Sequence, residues 1–373
     1  MKNAMPRNPK AFKLISVLLG IGLALGLLLF VEFISSYILK SKGLNPYPFF
    51  INATAKQNPD MPIFARRAYT FYDPLLGYAH NPAMIRDEWF APGFVLHGKK
   101  EVEQGKTVRI VALGGSTTDG NNAFNLSWSK VLLRLMEERG IEAQILNGGV
   151  AGYTSSQELL KLIRDVLPLE PDIIVSLDGV NDLGYVHAIP EHPMVHEYQQ
   201  YVMEYLANGP EPYFLPNTIH LLNLSFKRVK LFDDNRRGIN YGTTVNITSA
   251  KEWERNVRMM HAVSEEYGIP FLVFLQPTLG VGKYNISKEE EEKMLTNDEG
   301  KKISGYLKLV RDFYQEARES CKGMPYCIDL VDVFHTQQNL YYDKRHPTIK
   351  GYEILSSAIY AELAKRYKGI LAK

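Results

Sequence analysis

The chain predicts an α/β protein, a parallel sheet covered by helices on both faces, with one apolar helix near its N-terminus. Three observations carry this. From residue 106 onward, short β-branched runs alternate with amphipathic helical stretches, the pattern of repeated strand–helix units. The strand runs are continuously apolar, as strands buried on both sides require. Leu14 to Val31 is an apolar run of about eighteen residues, near the length of a helix that crosses a bilayer.

Lys2, Arg7, Lys10 and Lys13 precede that run with no acidic residue among them. Positive flanks stay in the cytoplasm, so the remainder of the chain is expected to face outward. Glu32 interrupts the run and "FISSYIL" continues it weakly. An uncleaved single-pass anchor is favoured over a cleaved secretory signal, because the run is long for a signal and no A-x-A-like site follows. Gly22 and Gly26 form a G-x-x-x-G pair, a helix-dimerisation pattern that an apolar anchor more often merely tolerates. The expected organisation is a cytoplasmic tail at 1–13, a transmembrane helix at 14–38, a juxtamembrane segment at 39–105 and the main domain at 106–373. That domain carries an insertion at 184–248, too long for an ordinary connection. It is a lid or a peripheral subdomain.

Within the domain, "TVRIVAL" (107–113), "EAQILN" (142–147), "PDIIVSLDG" (171–179), "IPFLVFLQP" (269–277) and "CIDLVDVF" (327–334) read as five strands. Helices are expected at 126–140, 155–168, 249–268, 302–320 and 349–367. Ser155 or Ser156 is the expected cap of the second, completed by a following Glu. Glu289 to Glu292 read as a solvated helix start. In the juxtamembrane segment, "YDPLLGYAHNP" (72–82) has the punctuation of turns, and no clear period appears.

Composition narrows the function. Net charge is +2, and no basic run is interleaved with aromatics, so no nucleic-acid partner is expected. Cys321 and Cys327 lie in "SCKGMPYC"; outside the cytoplasm a small disulfide loop is favoured over two free thiols. Neither a CxxC nor a histidine pair at ligand spacing accompanies them, so no metal is expected. Five N-x-[ST] sequons, at Asn52, Asn125, Asn223, Asn246 and Asn285, matter only in a host that glycosylates secreted chains.

In open parallel sheets, ligands bind outside the carboxyl ends of the strands. Four polar, glycine-rich clusters fall on that rim: "GGSTTDG" (114–120), "NGGVAGYTS" (147–155), "DGVND" (178–182) and "YYDKRHPT" (341–348). A serine hydroxyl is a weak nucleophile that must lose its proton to a base. Ser116 is the candidate nucleophile, His346 the base, and Asp343 the carboxylate that orients the imidazole. An anionic tetrahedral intermediate needs fixed donors. The candidates are the backbone N–H groups of Ser116 and Gly152 and the side-chain amide of Asn181. Each residue alone has a plainer reading: Ser116 as a turn residue or cap, Asn181 as a turn former, Asp343 and His346 as an exposed pair. Their convergence on one rim favours chemistry. Asp178 and Asp182 read as structural partners of their loop, Gln276 as a strand-end polar residue, and His187, His192 and His196 as surface residues of the insertion. Ser116 is not in a P-loop, since no G-x-x-x-x-G-K-[ST] occurs, nor in a G-x-S-x-G elbow, since Thr118 stands where the second glycine belongs.

"GGSTT", "NGGVAGYTS", "GVND" and "DKRHPTIKG", in that order and spacing, resemble the SGNH hydrolase (GDSL esterase/lipase) superfamily over roughly residues 106–370. The resemblance implies a flavodoxin-like three-layer αβα sandwich, hydrolysis or transfer of ester-linked acyl groups, often acetyl on carbohydrate, and no cofactor. It assigns the family's serine to Ser116, its glycine to Gly152, its asparagine to Asn181, and its acid and histidine to Asp343 and His346. The first block departs from G-D-S-L, with Gly115 before the serine and Thr117 after it. The expected protein is a membrane-anchored serine esterase facing an extracytoplasmic ester, for example acylated carbohydrate. Alternatives are an O-acyltransferase acting on exported polysaccharide and a non-catalytic envelope binding protein.

Overall fold

The structure, a computed structural model, describes residues 9–41, 70–73, 75–80, 82, 85, 87–120, 124–184, 215–225, 248–296 and 304–372. In chain order the elements begin with α1 (Pro9–Ser41), β1 (Thr70–Asp73), β2 (Gly77–His80), β3 (Glu88–Phe90) and β4 (Phe94–Gly98). They continue with β5 (Val108–Gly114), α2 (Ser116–Asp119), α3 (Trp128–Glu137), β6 (Ala143–Asn147), α4 (Ser155–Lys161), β7 (Ile173–Asp178), α5 (Pro216–Ser225) and α6 (Ser249–Glu266). The last are β8 (Phe271–Leu275), α7 (Lys288–Met294), α8 (Ser304–Lys322), β9 (Cys327–Asp329), α9 (Ile349–Arg366) and α10 (Lys368–Leu371). The chain divides into two compact units, one of residues 1–61 with 200–242 and one of 62–199 with 243–373.

The first unit contains α1 and α5. Leu14–Leu39 of α1 is long and apolar enough to cross a membrane by length and composition. Glu32, Ser35 and Leu39 are nearly fully buried, and Leu28, Ser36 and Ile38 are half-buried, on a helix otherwise exposed over residues 14–39. The Glu32 carboxylate accepts the backbone N–H groups of Asn217 (2.6 Å) and Thr218 (2.9 Å) and the Thr218 hydroxyl (2.7 Å). Those amides open α5, so a carboxylate there accepts the first-turn N–H groups and meets the positive end of the helix dipole. The rest of the insertion, residues 185–214 and 226–247 with His187, His192 and His196, lies outside the described residues. So do residues 1–8 of the tail and 42–69 of the juxtamembrane segment.

The second unit is built on a seven-stranded sheet of order β3-β4-β6-β5-β7-β8-β9. Its five strands from β6 to β9 are parallel, the five that the sequence predicts, in the doubly wound order 2-1-3-4-5. Each central strand sends alternate side chains to opposite faces. Val108, Ile110, Ala112, Ile173, Val175 and Leu177 join one core with α3 and α9; Val111, Leu113, Ile174, Val273 and Leu275 join the other with α6 and α8. The result is three layers, helix–sheet–helix.

Three features differ from the sequence reading. β3 and β4 extend the sheet into residues 88–98, before the predicted strands, where β4 runs antiparallel along β6 and covers its otherwise unpaired edge. They are short, at three and five residues, and are broken by the turn around Pro92 and Gly93, so they carry little periodicity. The cap of α4 is Thr154, in a capping box with Gln157, rather than Ser155 or Ser156. The Ser155 hydroxyl is engaged by Asp182 instead. Within the run Glu289 to Glu292, Glu290 is 2% exposed: it accepts the Tyr284 hydroxyl (2.6 Å) and the Ser287 amide (2.9 Å), capping α7 from inside.

Cys321 and Cys327 form a disulfide joining the end of α8 to β9. A bridge across so short a loop is worth about 2–3 kcal/mol through the entropy of the unfolded chain. The C321S/C327S variant is therefore expected to unfold at lower urea, and reductant should shift wild type to the same midpoint while leaving the variant unmoved. Coincident midpoints for oxidised wild type and variant would contradict this.

Candidate active site

The order 2-1-3-4-5 reverses direction between β5 and β7, which opens a crevice at the carboxyl ends of those two strands. Ser116 follows β5 and Asn181 follows β7, so both stand at that crevice. Gly115 accepts the N–H groups of Thr118 and Asp119 through its carbonyl, winding α2 into a single turn with Ser116 first. The turn is pinned behind the serine. Thr117 Oγ1 accepts from Gln276 Nε2 (2.9 Å), Thr118 Oγ1 accepts from Trp128 Nε1 (2.9 Å), and the Thr118 carbonyl accepts from Asn147 Nδ2 (2.6 Å).

The loop from β9 to α9 carries the histidine. Its carbonyl at Lys344 accepts from Thr278 Oγ1 (2.9 Å) and the Leu279 amide (3.0 Å), and the Arg345 carbonyl accepts from Gln276 Nε2 (3.1 Å). Gln276 thus holds both the residue after Ser116 and the residue before His346. By sequence Gln276 reads as an ordinary strand-end residue; its burial, at 1% exposure, places its amide between the two loops.

These supports bring His346 Nε2 to 2.6 Å from Ser116 Oγ, across 230 residues of chain. On the other side of the ring, Nδ1 lies 2.7 Å from Asp343 Oδ2 and 2.9 Å from Oδ1. Burial pushes the Asp343 carboxyl up, but hydrogen bonds from His346 and the Arg345 amide, with the imidazole's charge, outweigh it and hold the group below its usual range. An ionised Asp343 keeps a proton on Nδ1, so Nε2 presents its lone pair to the serine.

Asn181 is also close. Its Nδ2 donates to the Tyr153 carbonyl (2.8 Å), and a Cβ on Gly115 would lie 2.2 Å from the same nitrogen. Any larger residue before the serine would displace that amide. The departure from G-D-S-L therefore accompanies a close approach of Asn181 to the turn that carries Ser116. Gly152 sits at φ +83°, a left-handed conformation suited to glycine, one residue before Tyr153. Three further residues come from the structure alone. Arg345 Nη1 lies 3.4 Å from Asn181 Oδ1. Tyr342 stacks on the His346 ring at 5.5 Å, and Phe124, 39% exposed, meets Tyr342 edge-on. Among the described residues no group of three or more His, Cys, Asp or Glu has the arrangement of a metal site.

Behind the Asn181 loop lie three fully buried acids. Asp182 accepts the Ser155 hydroxyl (2.5 Å) and hydrogen-bonds Asp178, Asp178 accepts from Trp253 Nε1 (3.2 Å) and the Gly179 amide, and Glu158 accepts the Ser176 hydroxyl (2.5 Å). Burial raises all three; Asp178 is pushed up to about 6, and the Asp178 charge adds to the rise at Glu158 and Asp182.

The GDSL-like Lipase/Acylhydrolase family matches residues 112–354, about two thirds of the chain. That match and the doubly wound fold define an ester-hydrolysing enzyme. The chain belongs to the GDSL-like lipase/acylhydrolase family, within the SGNH hydrolases. No curated protein sequence matches it. Similar solved structures include a lipase/acylhydrolase from Enterococcus faecalis, at 17% identity and TM-score 0.40, covering 69% of this chain and 96% of that one. An acetylxylan esterase from Geobacillus stearothermophilus matches at 13% identity and TM-score 0.39, covering 69% and 94%. A GDSL-like lipase from Bacteroides thetaiotaomicron matches at 14% identity and TM-score 0.38, covering 72% and 92%.

The buried acids give a pH dependence. The folded chain keeps protons that an unfolded chain sheds above about pH 4, so stability falls as pH rises from there through about 6 and beyond. E158Q retains an acceptor for Ser176 and removes one titration. Urea midpoints measured from pH 5 to pH 8 should fall less steeply for E158Q than for wild type; parallel curves would show that the cluster does not hold its protons.

Proposed function

We propose that this enzyme is a membrane-anchored serine esterase whose nucleophile is Ser116. One observation carries the reading: the hydrogen-bonded series Ser116 Oγ, His346, Asp343. In the first half-reaction, His346 Nε2 takes the Ser116 proton while Oγ bonds to the acyl carbon. The oxyanion is met by the N–H groups of Ser116 and Gly152 and by the Asn181 amide. Collapse breaks the ester C–O bond, and the leaving alkoxide takes the proton from His346. Water then adds to the acyl-serine in the same manner and releases the carboxylic acid. Arg345 beside Asn181 Oδ1 favours the orientation in which Nδ2 serves as donor.

The substrate class is a short acyl ester, acetyl above all, on an extracytoplasmic carbohydrate or glycan. Family membership favours acyl esters. The Phe124–Tyr342 pair closely flanking His346 favours a small acyl group and offers an aromatic wall to a sugar ring. Retention of α1 as an anchor is favoured by Glu32, whose carboxylate would leave the α5 amides unsatisfied if the helix were removed. The cationic residues before the helix favour an outward-facing domain.

Across p-nitrophenyl esters of increasing chain length, activity should be greatest for acetyl. S116A and H346A should each lose at least about 10³-fold in kcat. Turnover by S116A near the wild-type rate would remove the serine mechanism, and formation of acylated glycan in place of free acid at saturating acceptor would make the enzyme a transferase. A phosphatase reporter active only outside the cytoplasm, fused after Lys373, should be active; an inactive fusion would reverse the topology.

A further inference from the structure

Each residue of α2 after the serine has its own anchor. Thr117 is tied to Gln276 and Thr118 to Trp128. Asp119 closes the turn, and its Oδ1 lies 3.0 Å from Nε2 of His80, the last residue of β2, with the two side chains 7% and 4% exposed. Neither ring nitrogen of His80 makes a hydrogen bond of good geometry among the described residues, so the Asp119 carboxylate meets the ring by close approach, at 3.0 Å. Burying a polar ring this way is costly against an apolar side chain of the same size. The neighbours Leu76, Tyr78 and Ala79 are apolar and buried, so packing alone does not call for histidine here.

The β1–β2 hairpin is also tied to the Gly152 loop. Tyr78 donates its hydroxyl to the Ala151 carbonyl (3.0 Å), Tyr153 donates to the Tyr78 carbonyl (2.6 Å), and Gln157 Nε2 donates to the Leu76 carbonyl (2.7 Å). Arg164 holds the hairpin's other strand through both oxygens of Asp73, at 2.8 and 2.9 Å. The hairpin itself lies before residue 112, where the family match begins, and its partners lie within the matched region.

We propose that His80 is a positioning residue of the active site. Through Asp119 it fixes the end of α2, so that Ser116 Oγ stays within hydrogen-bond reach of His346 Nε2, and the β1–β2 hairpin is part of this enzyme's catalytic apparatus. His80 acts through Asp119 and does not touch substrate. The inference rests on the serine-esterase reading.

The test compares H80A, H80Q, D119N and H80A/D119N with wild type, by p-nitrophenyl acetate kinetics and by the rate of fluorophosphonate labelling. L363A, in the core far along α9, serves as a control for general destabilisation. H80A is expected to lower kcat and labelling rate by about 10- to 100-fold with KM within about twofold, the cost of a slightly misplaced nucleophile. H80Q, whose amide can donate to Asp119 from the same place, should recover most of the loss. The double variant should be no slower than D119N, and L363A should lose thermal stability while keeping its kcat. Labelling of H80A at the wild-type rate, no recovery in H80Q, or losses that multiply in the double variant would overturn the inference. If H80A does not fold, the near-isosteric D119N decides: a fall in kcat supports the inference and a wild-type kcat overturns it. Unimpaired turnover by S116A would instead defeat the serine reading, whatever the His80 variants show.

Discussion

The contact between Ser116 Oγ and His346 Nε2 is the constraint on which the rest of this structure depends. The two groups are 230 residues apart, so only the tertiary fold can hold them at 2.6 Å. The doubly wound sheet sets the serine at the end of β5 and returns the chain past β9 to the same rim. Gln276 then does what no sheet register can. Its one amide group donates both to Thr117, beside Ser116, and to the histidine loop, and so ties the two together. Pre-organisation of this kind lets an acyl transfer proceed without reorganising the protein at each step.

The same logic applies to the Asn181 side. Asn181 is flanked in sequence by the loop that joins Asp178 to Asp182, and Asp182 binds both the amide and the hydroxyl of Ser155. Ser155 is three residues after Gly152, so the acid ties the two candidate oxyanion arms together. Burial makes all three carboxyl groups harder to ionise, and the Asp178 charge makes Glu158 and Asp182 harder still. A core of apolar residues there would be cheaper for stability but would leave the Asn181 loop less fixed. Stability is being traded for geometry, as is common near catalytic groups.

Polar residues inside apolar surroundings recur across the chain and have the same explanation each time. Glu32 breaks the apolar run of α1 and receives the opening amides of α5. Glu290 sits in an acidic run yet is buried as an internal cap. His80 faces Asp119 inside an apolar hairpin. In each case one charged or ionisable group meets a partner distant in sequence or at a helix end, and burial strengthens the interaction by excluding water.

The alternation of apolar strands with amphipathic helices determined the sheet and both helix layers, because a strand buried on two faces must be apolar throughout. The rim motifs singled out Ser116, Asn181 and the Asp343–His346 pair, since hydroxyl, amide, carboxylate and imidazole in polar turns stand out against that background. The sequence could not reveal β3 and β4, whose few residues have no periodicity and exist as strands because β6 offers them an edge. Nor could it reveal Gln276, Arg345 or His80. Their chemistry is ordinary, and their importance comes from what lies across from them. Local pattern is set by burial along the chain, and so it can be read residue by residue; the partner of a buried polar group is set by packing between distant segments, and only the folded structure decides it.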